Sequence, residues 1–423
     1  MNTSKTRKKA MPLPNTGKKL PHKEKTAFVF SGGGARGAYQ VGVWQGLREM
    51  GLSPDIVTGT SVGAINAALV VQDSFDLAFH LWKQLDTDMV FDLEQMQPGS
   101  RALPFEFDIK GLSLEELSAY AKGFLTQGGV GNSALETMLR EYVDEERFRR
   151  SPIDYGLVTV ELPSFKPHYL YKEQIPMGKL IPYILASASC YPVVKAHEID
   201  GIKYIDGGYA DNLPVQMALD RGAEYIIAAD LNAIGVIHEE AWKDLPHFRL
   251  IRSHWDLGNF LVFDENNAGR IMNLGYFDCL KNFGFFDGSF YCMAKGNFPS
   301  RLLHSAEQAG RFFEIDPTVL YTKESFNRRL KEAISLQTHS MKKEIRTLKR
   351  NLANPSKALE SLSDLLKQIN GAALVLFLAA YLRENPGSQK FLSRRAVRKL
   401  IGDELAAARY LLAAGLPLGS LED

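Results

Sequence analysis

Cysteine is scarce in this chain. Cys190, Cys279 and Cys292 are the only three among 423 residues. They stand too far apart to frame a disulfide scaffold, and none has the spacing of a metal site. No metal and no cofactor are expected. An apolar run of 18 or more residues is missing too. The longest, Gly371–Leu382, has 12, which suits a buried core helix better than a bilayer span. No signal peptide and no transmembrane helix are read, and with so little cysteine the expected setting is reducing and cytoplasmic.

Net charge is nearly absent at +1, but the figure hides an asymmetry. Residues 1–25 hold eight Lys/Arg against the single acid Glu24. The first reading of this tail is a disordered, solubilising leader. The second is peripheral attraction to anionic lipid, worth about 1 kcal/mol per basic residue near such a surface. Aromatic residues are absent from the tail, so bases would find no stacking platform and no nucleic-acid partner is expected. The remainder is an ordinary globular mixture, 45% hydrophobic and 23% charged, long enough for one large or two to three domains.

What is present begins with Gly59-Thr60-Ser61-Val62-Gly63, a G-x-S-x-G pentapeptide. Ile56-Val57-Thr58 before it is strand-like, and the small apolar residues Ala64–Val71 after it suit a helix buried on a sheet. A sharp strand-to-helix turn presents a serine as a nucleophile, and glycines on both sides remove colliding side chains. Ser61 is the candidate nucleophile. Upstream, the strand Thr26–Phe30 runs into Ser31-Gly32-Gly33-Gly34-Ala35-Arg36-Gly37. Glycines at a strand end that opens a helix leave backbone amides unobstructed, so Gly32, Gly33 and Gly34 are candidate oxyanion donors. Downstream, Asp206-Gly207-Gly208 ends the expected strand Ile202–Ile205. An aspartate there can reach a crevice at the sheet edge as a base; D-G is equally common in plain turns.

Other readings are open to the same residues. Gly32, Gly34 and Gly37 satisfy the dinucleotide fingerprint, but no acid ends the second strand, where Gly59-Thr60-Ser61 stands instead. No Lys-Ser/Thr follows the glycines, so a phosphate-binding P-loop fails. His254 follows Ser61 and Asp206 in the order of a conventional triad, yet it lies beyond the expected sheet with no strand just before it.

The three motifs, in this order, resemble those of the patatin-like phospholipases. Gly32–Gly37, Gly59–Gly63 and Asp206–Gly208 carry the resemblance. Leu52–Thr58 before the serine, Ala186–Pro192, and Asn212-Leu213-Pro214-Val215 after the aspartate agree with it. It covers about residues 26–235. The resemblance implies a Ser61–Asp206 dyad, with Ser61 as nucleophile and Asp206 as proton acceptor. It implies oxyanion donors at Gly32, Gly33 and Gly34, with Arg36, Gly37, Gly59, Gly63, Gly207 and Gly208 as supporting motif residues. The implied activity is hydrolysis of a phospholipid or other lipid ester through an acyl-enzyme, in lipid catabolism or membrane lipid turnover. Acyl transfer on the same site is the alternative from that chemistry. A scaffold that binds a partner through its helical tail is the alternative from another class.

The expected fold is α/β, a three-layer α/β/α core with a mostly parallel central sheet. The expected domains are a basic tail (1–25), a catalytic domain (26–235), an extension of that core (236–300) and a helical region (301–423). In the last, Phe326, Leu330, Ile334, Met341, Ile345, Leu348 and Leu352 recur at helical spacing opposite a basic face. That face is a second candidate for membrane contact. Met89, Val90, Phe91, Leu103, Phe105, Phe107 and Leu112 are candidates to line an acyl groove.

Overall fold

A computed structural model of the chain describes residues 24–92, 129–352, 370–388 and 395–418. They fall into two compact units that divide between Phe285 and Phe286.

The first unit is built on eight strands. In chain order they are β1 (Thr26–Phe30), β2 (Ile56–Thr60), β3 (Asp154–Leu162), β4 (Lys166–Tyr171), β5 (His197–Ile199), β6 (Ile202–Asp206), β7 (Tyr225–Asp230) and β8 (Phe248–Arg252). The spatial order is β5-β6-β3-β2-β1-β7-β8, with β4 also on β3. The five strands from β3 to β8 are parallel; β4, β5 and β6 add antiparallel pairs at the β3 side. The helices are α1 (Ala38–Glu49), α2 (Val62–Val71), α3 (Phe75–Trp82), α4 (Ser133–Tyr142), α5 (Glu145–Arg150), α6 (Leu180–Ser187), α7 (Val215–Asp220) and α8 (Glu265–Asn282). The fold class is therefore as expected: a mostly parallel sheet with flanking helices.

The strand sequences explain the layering. β1 and β2 are buried along their whole lengths, the pattern of strands covered on both faces. Ala27, Val29, Ile56, Ile226 and Ala228 pack with Leu213, Val215 and Ala218 on the α7 side. Strand alternation turns the buried Phe28, Phe30, Val57 and Ile227 to the other face. α1 and α8 meet backbone to backbone at Gly42 and Gly275, where any Cβ would run into the facing helix.

One register positions the site. Thr60, the last residue of β2, pairs with Val158 of β3. β3 continues past that point to Leu162, and β6 pairs antiparallel with the overhang, ending with Asp206 opposite Thr159. β6 thus runs back toward the end of β2 and delivers Asp206 beside the residue that follows Thr60. The sequence placed Asp206 at a strand end; the structure adds that its strand arrives from the opposite direction.

Among the described residues, the second unit holds a two-stranded parallel pair, β9 (Cys292–Met293) and β10 (Leu320–Tyr321), and four helices. These are α9 (Ser300–Phe312), α10 (Lys323–Leu352), α11 (Gly371–Glu384) and α12 (Arg395–Ala413). Phe326, Leu330, Ile334, Met341, Ile345 and Leu348 of α10 are all buried, as their spacing predicted. The apolar run of α11 is buried from Ala372 to Ala380, so it is a core helix. Glu307 of α9 accepts the amides of Ser289, Phe290 and Tyr291 at 2.6, 2.8 and 3.1 Å, which anchors the segment entering β9. Among the described residues, no helix is long and apolar enough to cross a membrane.

Candidate active site

Ser61 stands at the joint between β2 and α2 with φ 55 and ψ −128. A side chain rarely occupies this backbone region, and it persists only where the surroundings impose it. Two glycines make the turn possible. A Cβ on Gly59 would strike the Gly63 carbonyl, and one on Gly63 would lie 2.7 Å from the Ser31 carbonyl oxygen. The Ser61 amide donates to Ser187 Oγ at 2.9 Å, and the Ser61 carbonyl accepts from Ala64 at 2.9 Å. Ser61 also caps α2, so the positive end of that helix's dipole faces it.

Asp206 accepts the Gly208 amide at 2.7 Å, and the Ser61 side chain is near enough to favour its ionised form. The Asp206 amide donates to the Ser189 carbonyl at 2.9 Å. Ser61 and Asp206 are only 8% and 6% exposed. Burial pushes the Asp206 carboxyl up to about 6; Ser61 and the Gly208 amide pull the other way and are outweighed. A carboxylate poised near neutrality beside a serine hydroxyl can take that proton once the two are in hydrogen-bond reach. Gly207 leaves room for Val158, and Gly208 for the carboxylate itself: a Cβ there would be 3.1 Å from Asp206 Oδ1.

The glycine loop follows β1 and lies against the serine, with a Gly32 Cβ position 3.1 Å from Ser61 Cβ. The Gly32 amide already has a partner in this structure, donating to the Asn212 carbonyl at 3.1 Å. The amides of Gly33 and Gly34 have no partner among the described residues, and both residues line the same cavity as Ser61. Gly34 has φ 54, and a Cβ there would collide with the Phe260 carbonyl. Arg36 is buried and faces the loops behind. Its guanidinium donates to the carbonyls of Gly258, Leu231 and Asn232 at 2.8, 3.4 and 2.9 Å. It braces the glycine loop and does not line the cavity. Gly37 lets Val62 and Trp82 close in, at 2.6 and 2.7 Å from a Cβ position.

The cavity measures about 510 Å³ and contains Ser61 and Asp206 in its wall. Its remaining lining is largely apolar, including Ile65, Leu69, Trp82, Leu135, Leu139 and Phe263. Of the expected groove residues, Val90 and Phe91 line it. Met89 is exposed instead, and Leu103, Phe105, Phe107 and Leu112 lie outside the described residues. Cys190 also lines the cavity, but burial, with the charge of Asp206, pushes its thiol up to about 12. It stays protonated and is no rival nucleophile. His254 is exposed and outside the cavity wall. A strand, β8, does precede it, contrary to expectation, but β8 is the edge strand beyond β7, away from β2. No cluster of His, Cys, Asp and Glu suited to a metal ion occurs among the described residues.

Three residues that the sequence reading gave only as flanking stretches hold the site in place. Ser187 and Ser189 stand in the Ala/Ser-rich end of α6, where nothing local separates a structural serine from its neighbours. Asn212 follows the aspartate motif, and its contacts come from segments distant in sequence.

The class is therefore an α/β protein with a serine on a strained strand–helix turn that shares a cavity wall with a buried aspartate. Within that class, residues 28–219 match the family model for patatin-like phospholipase. Patatin-like phospholipase domain-containing protein 7 of Rattus norvegicus is 26% identical over 63% of this chain and 18% of its own length. Lysophospholipase nte1 of Aspergillus terreus is 27% identical over 49% of this chain and 12% of its own. The chain thus spans less than a fifth of these relatives. Among solved structures, VipD from Legionella pneumophila is similar at 15% identity and a TM-score of 0.39, covering 95% of this chain and 91% of that one.

Proposed function

We propose that this chain hydrolyses carboxylic esters of lipids, of the phospholipid or lysophospholipid kind, through an acyl-enzyme on Ser61. The observation that carries the reading is the strained Ser61, set with the buried Asp206 in the wall of one largely apolar cavity. The domain family and the names of the relatives support a lipid ester as substrate.

In the first step Asp206 takes the Ser61 proton as Oγ forms its bond to the ester carbon. The carbonyl oxygen becomes an oxyanion facing the Gly33 and Gly34 amides. The carbon–oxygen bond to the leaving group then breaks, and the alcohol departs with the proton held by Asp206. In the second step water gives its proton to Asp206 and attacks the acyl carbon. Ser61 recovers its proton and the fatty acid leaves. A donor facing the oxyanion is typically worth about 2.7–4 kcal/mol, and apolar walls strengthen it by excluding water.

The deciding experiment is a lipid panel assayed with wild type, Ser61→Ala and Asp206→Asn, products identified by mass, with competing alcohols added. Fatty acid released by wild type and lost in both variants is the expected result. Acyl esters of the added alcohol as main product would instead assign acyl transfer. Equal release by wild type and Ser61→Ala would sink the reading.

A further inference from the structure

Asn66 lies in α2, the helix that Ser61 caps, and is buried. Its carboxamide is fully used. Oδ1 accepts Trp82 Nε1–H at 2.9 Å. Nδ2 donates to the Gly37 carbonyl at 3.0 Å and to Gln40 Oε1 at 2.9 Å. Gln40, buried in α1, donates in turn from Nε2 to the Ser31 carbonyl at 2.7 Å.

This relay has one direction, and its ends fix it. An indole N–H can only donate, and a backbone carbonyl can only accept. Trp82 therefore settles which end of the Asn66 carboxamide is oxygen. Asn66 does the same for Gln40, whose NH2 is left facing Ser31. Neither carboxamide can turn over without setting acceptor against acceptor or donor against donor. Away from water, bonds linked in this way strengthen and orient one another.

Both ends of the relay belong to the site. Trp82 lines the cavity, stacked on Phe263 with ring centroids 6.1 Å apart. Ser31 and Gly37, whose carbonyls take the donors, bracket the loop that carries the Gly33 and Gly34 amides. We propose that Asn66 is a positioning residue for the oxyanion donors. It holds the glycine loop at Gly37 directly and at Ser31 by way of Gln40, and so sets the loop against Ser61 at the head of its own helix. Trp82, in the acyl wall, keeps Asn66 in the working orientation. The inference rests on the hydrolase reading above and adds to it that the cavity wall and the glycine loop act as one unit.

The test uses the whole chain with Asn66→Asp, Trp82→Phe and the two together. Asn66→Asp keeps the acceptor for Trp82 and loses both donors. Trp82→Phe keeps a ring in the wall and loses the N–H. Each is assayed on a soluble ester of short acyl chain. Each is also titrated with a trifluoromethyl ketone, whose carbon accepts Ser61 Oγ while the proton passes to Asp206, leaving an oxyanion without turnover. For Asn66→Asp the expected loss in kcat is on the order of 10²-fold, the effect of a displacement of about 1 Å at the reacting groups. For Trp82→Phe it is about tenfold. KM should stay within about threefold of wild type, and the ketone's Ki should rise by the factor lost from kcat/KM. The double variant should lose little more than Asn66→Asp alone, because both break one relay, whereas independent effects would multiply. If Asn66→Asp does not fold, Gln40→Glu, which removes the donor to Ser31, takes its place with the same expectations. Lower melting with kcat/KM and Ki within about threefold of wild type, or losses that multiply in the double variant, would overturn the proposal while Ser61→Ala remains dead. Equal rates in wild type and Ser61→Ala would overturn the hydrolase reading and this one with it.

Discussion

Ser187 Oγ accepts the backbone N–H of Ser61 at 2.9 Å, in a fully buried contact. Two residues on, the Ser189 carbonyl holds the amide of Asp206. The segment Ser187–Ser189 thus holds both residues of the proposed dyad, Ser61 through a side chain and Asp206 through backbone. Ser187→Ala leaves the Ser61 amide buried and unpaired, which costs about 1–3 kcal/mol. Because the elbow is strained, part of that loss should appear in the turn itself. Thermal unfolding and esterase rate should fall together, and Ser187→Thr, which keeps the hydroxyl, should restore much of both. A Ser187→Ala protein with unchanged melting and rate would show that the contact holds nothing.

The pH dependence of the reaction follows from Asp206. Burial lifts its carboxyl from the usual range to about 6. A base must be ionised to take the serine proton, so activity is lost as pH falls through that value, and the limb lies at acid pH. kcat/KM reports the free enzyme, and should rise with pH through a midpoint near 6 and then level. At pH 5 it should be roughly tenfold below the plateau. A profile flat from pH 5 to 8 in a stable protein would remove Asp206 from the role of base.

Much of the site was legible because its determinants are local. Glycines at 59 and 63 mark the collision points of a strained turn, and the strand and helix around Ser61 follow from adjacent apolar residues. What was hidden depends on register between distant segments. The antiparallel return of β6 follows from Thr159 pairing with Asp206, which no local pattern specifies. Gly32 is a glycine of the expected kind in the expected place, yet its amide is consumed by Asn212. β8 was missed because Phe248-Arg249-Leu250-Ile251-Arg252 carries two arginines. Edge position explains them: among the described residues β8 has one strand neighbour, and Arg252 pairs with Asp230 of β7 while Arg249 bonds the Asn282 carbonyl.

The dyad and the triad give opposite outcomes for two substitutions. His254 is exposed and outside the cavity wall, so His254→Ala should keep most of the wild-type rate. Asp206→Asn removes the proton acceptor while nearly preserving shape, and should cost on the order of 10²- to 10⁴-fold in kcat. The two variants are compared by steady-state rates and by labelling of Ser61 with a fluorophosphonate. A dead His254→Ala protein that melts normally would reinstate the triad.

The cavity sets an expectation for acyl length. Each methylene that moves from water into its apolar wall contributes about 0.8 kcal/mol, which is about fourfold in kcat/KM when the gain is expressed in the transition state. For a series of esters with one alcohol and lengthening acyl chains, kcat/KM should climb by roughly that factor per methylene and stop when the cavity is full. Leu139 is buried in the wall, and Leu139→Trp puts an indole into that volume. The break should then move to shorter chains, with long-chain esters losing far more than short ones. Overpacking costs about 1–3 kcal/mol of stability, so the comparison is made as a ratio of long- to short-chain rates within each protein. An unchanged ratio in Leu139→Trp would mean that the acyl chain lies elsewhere.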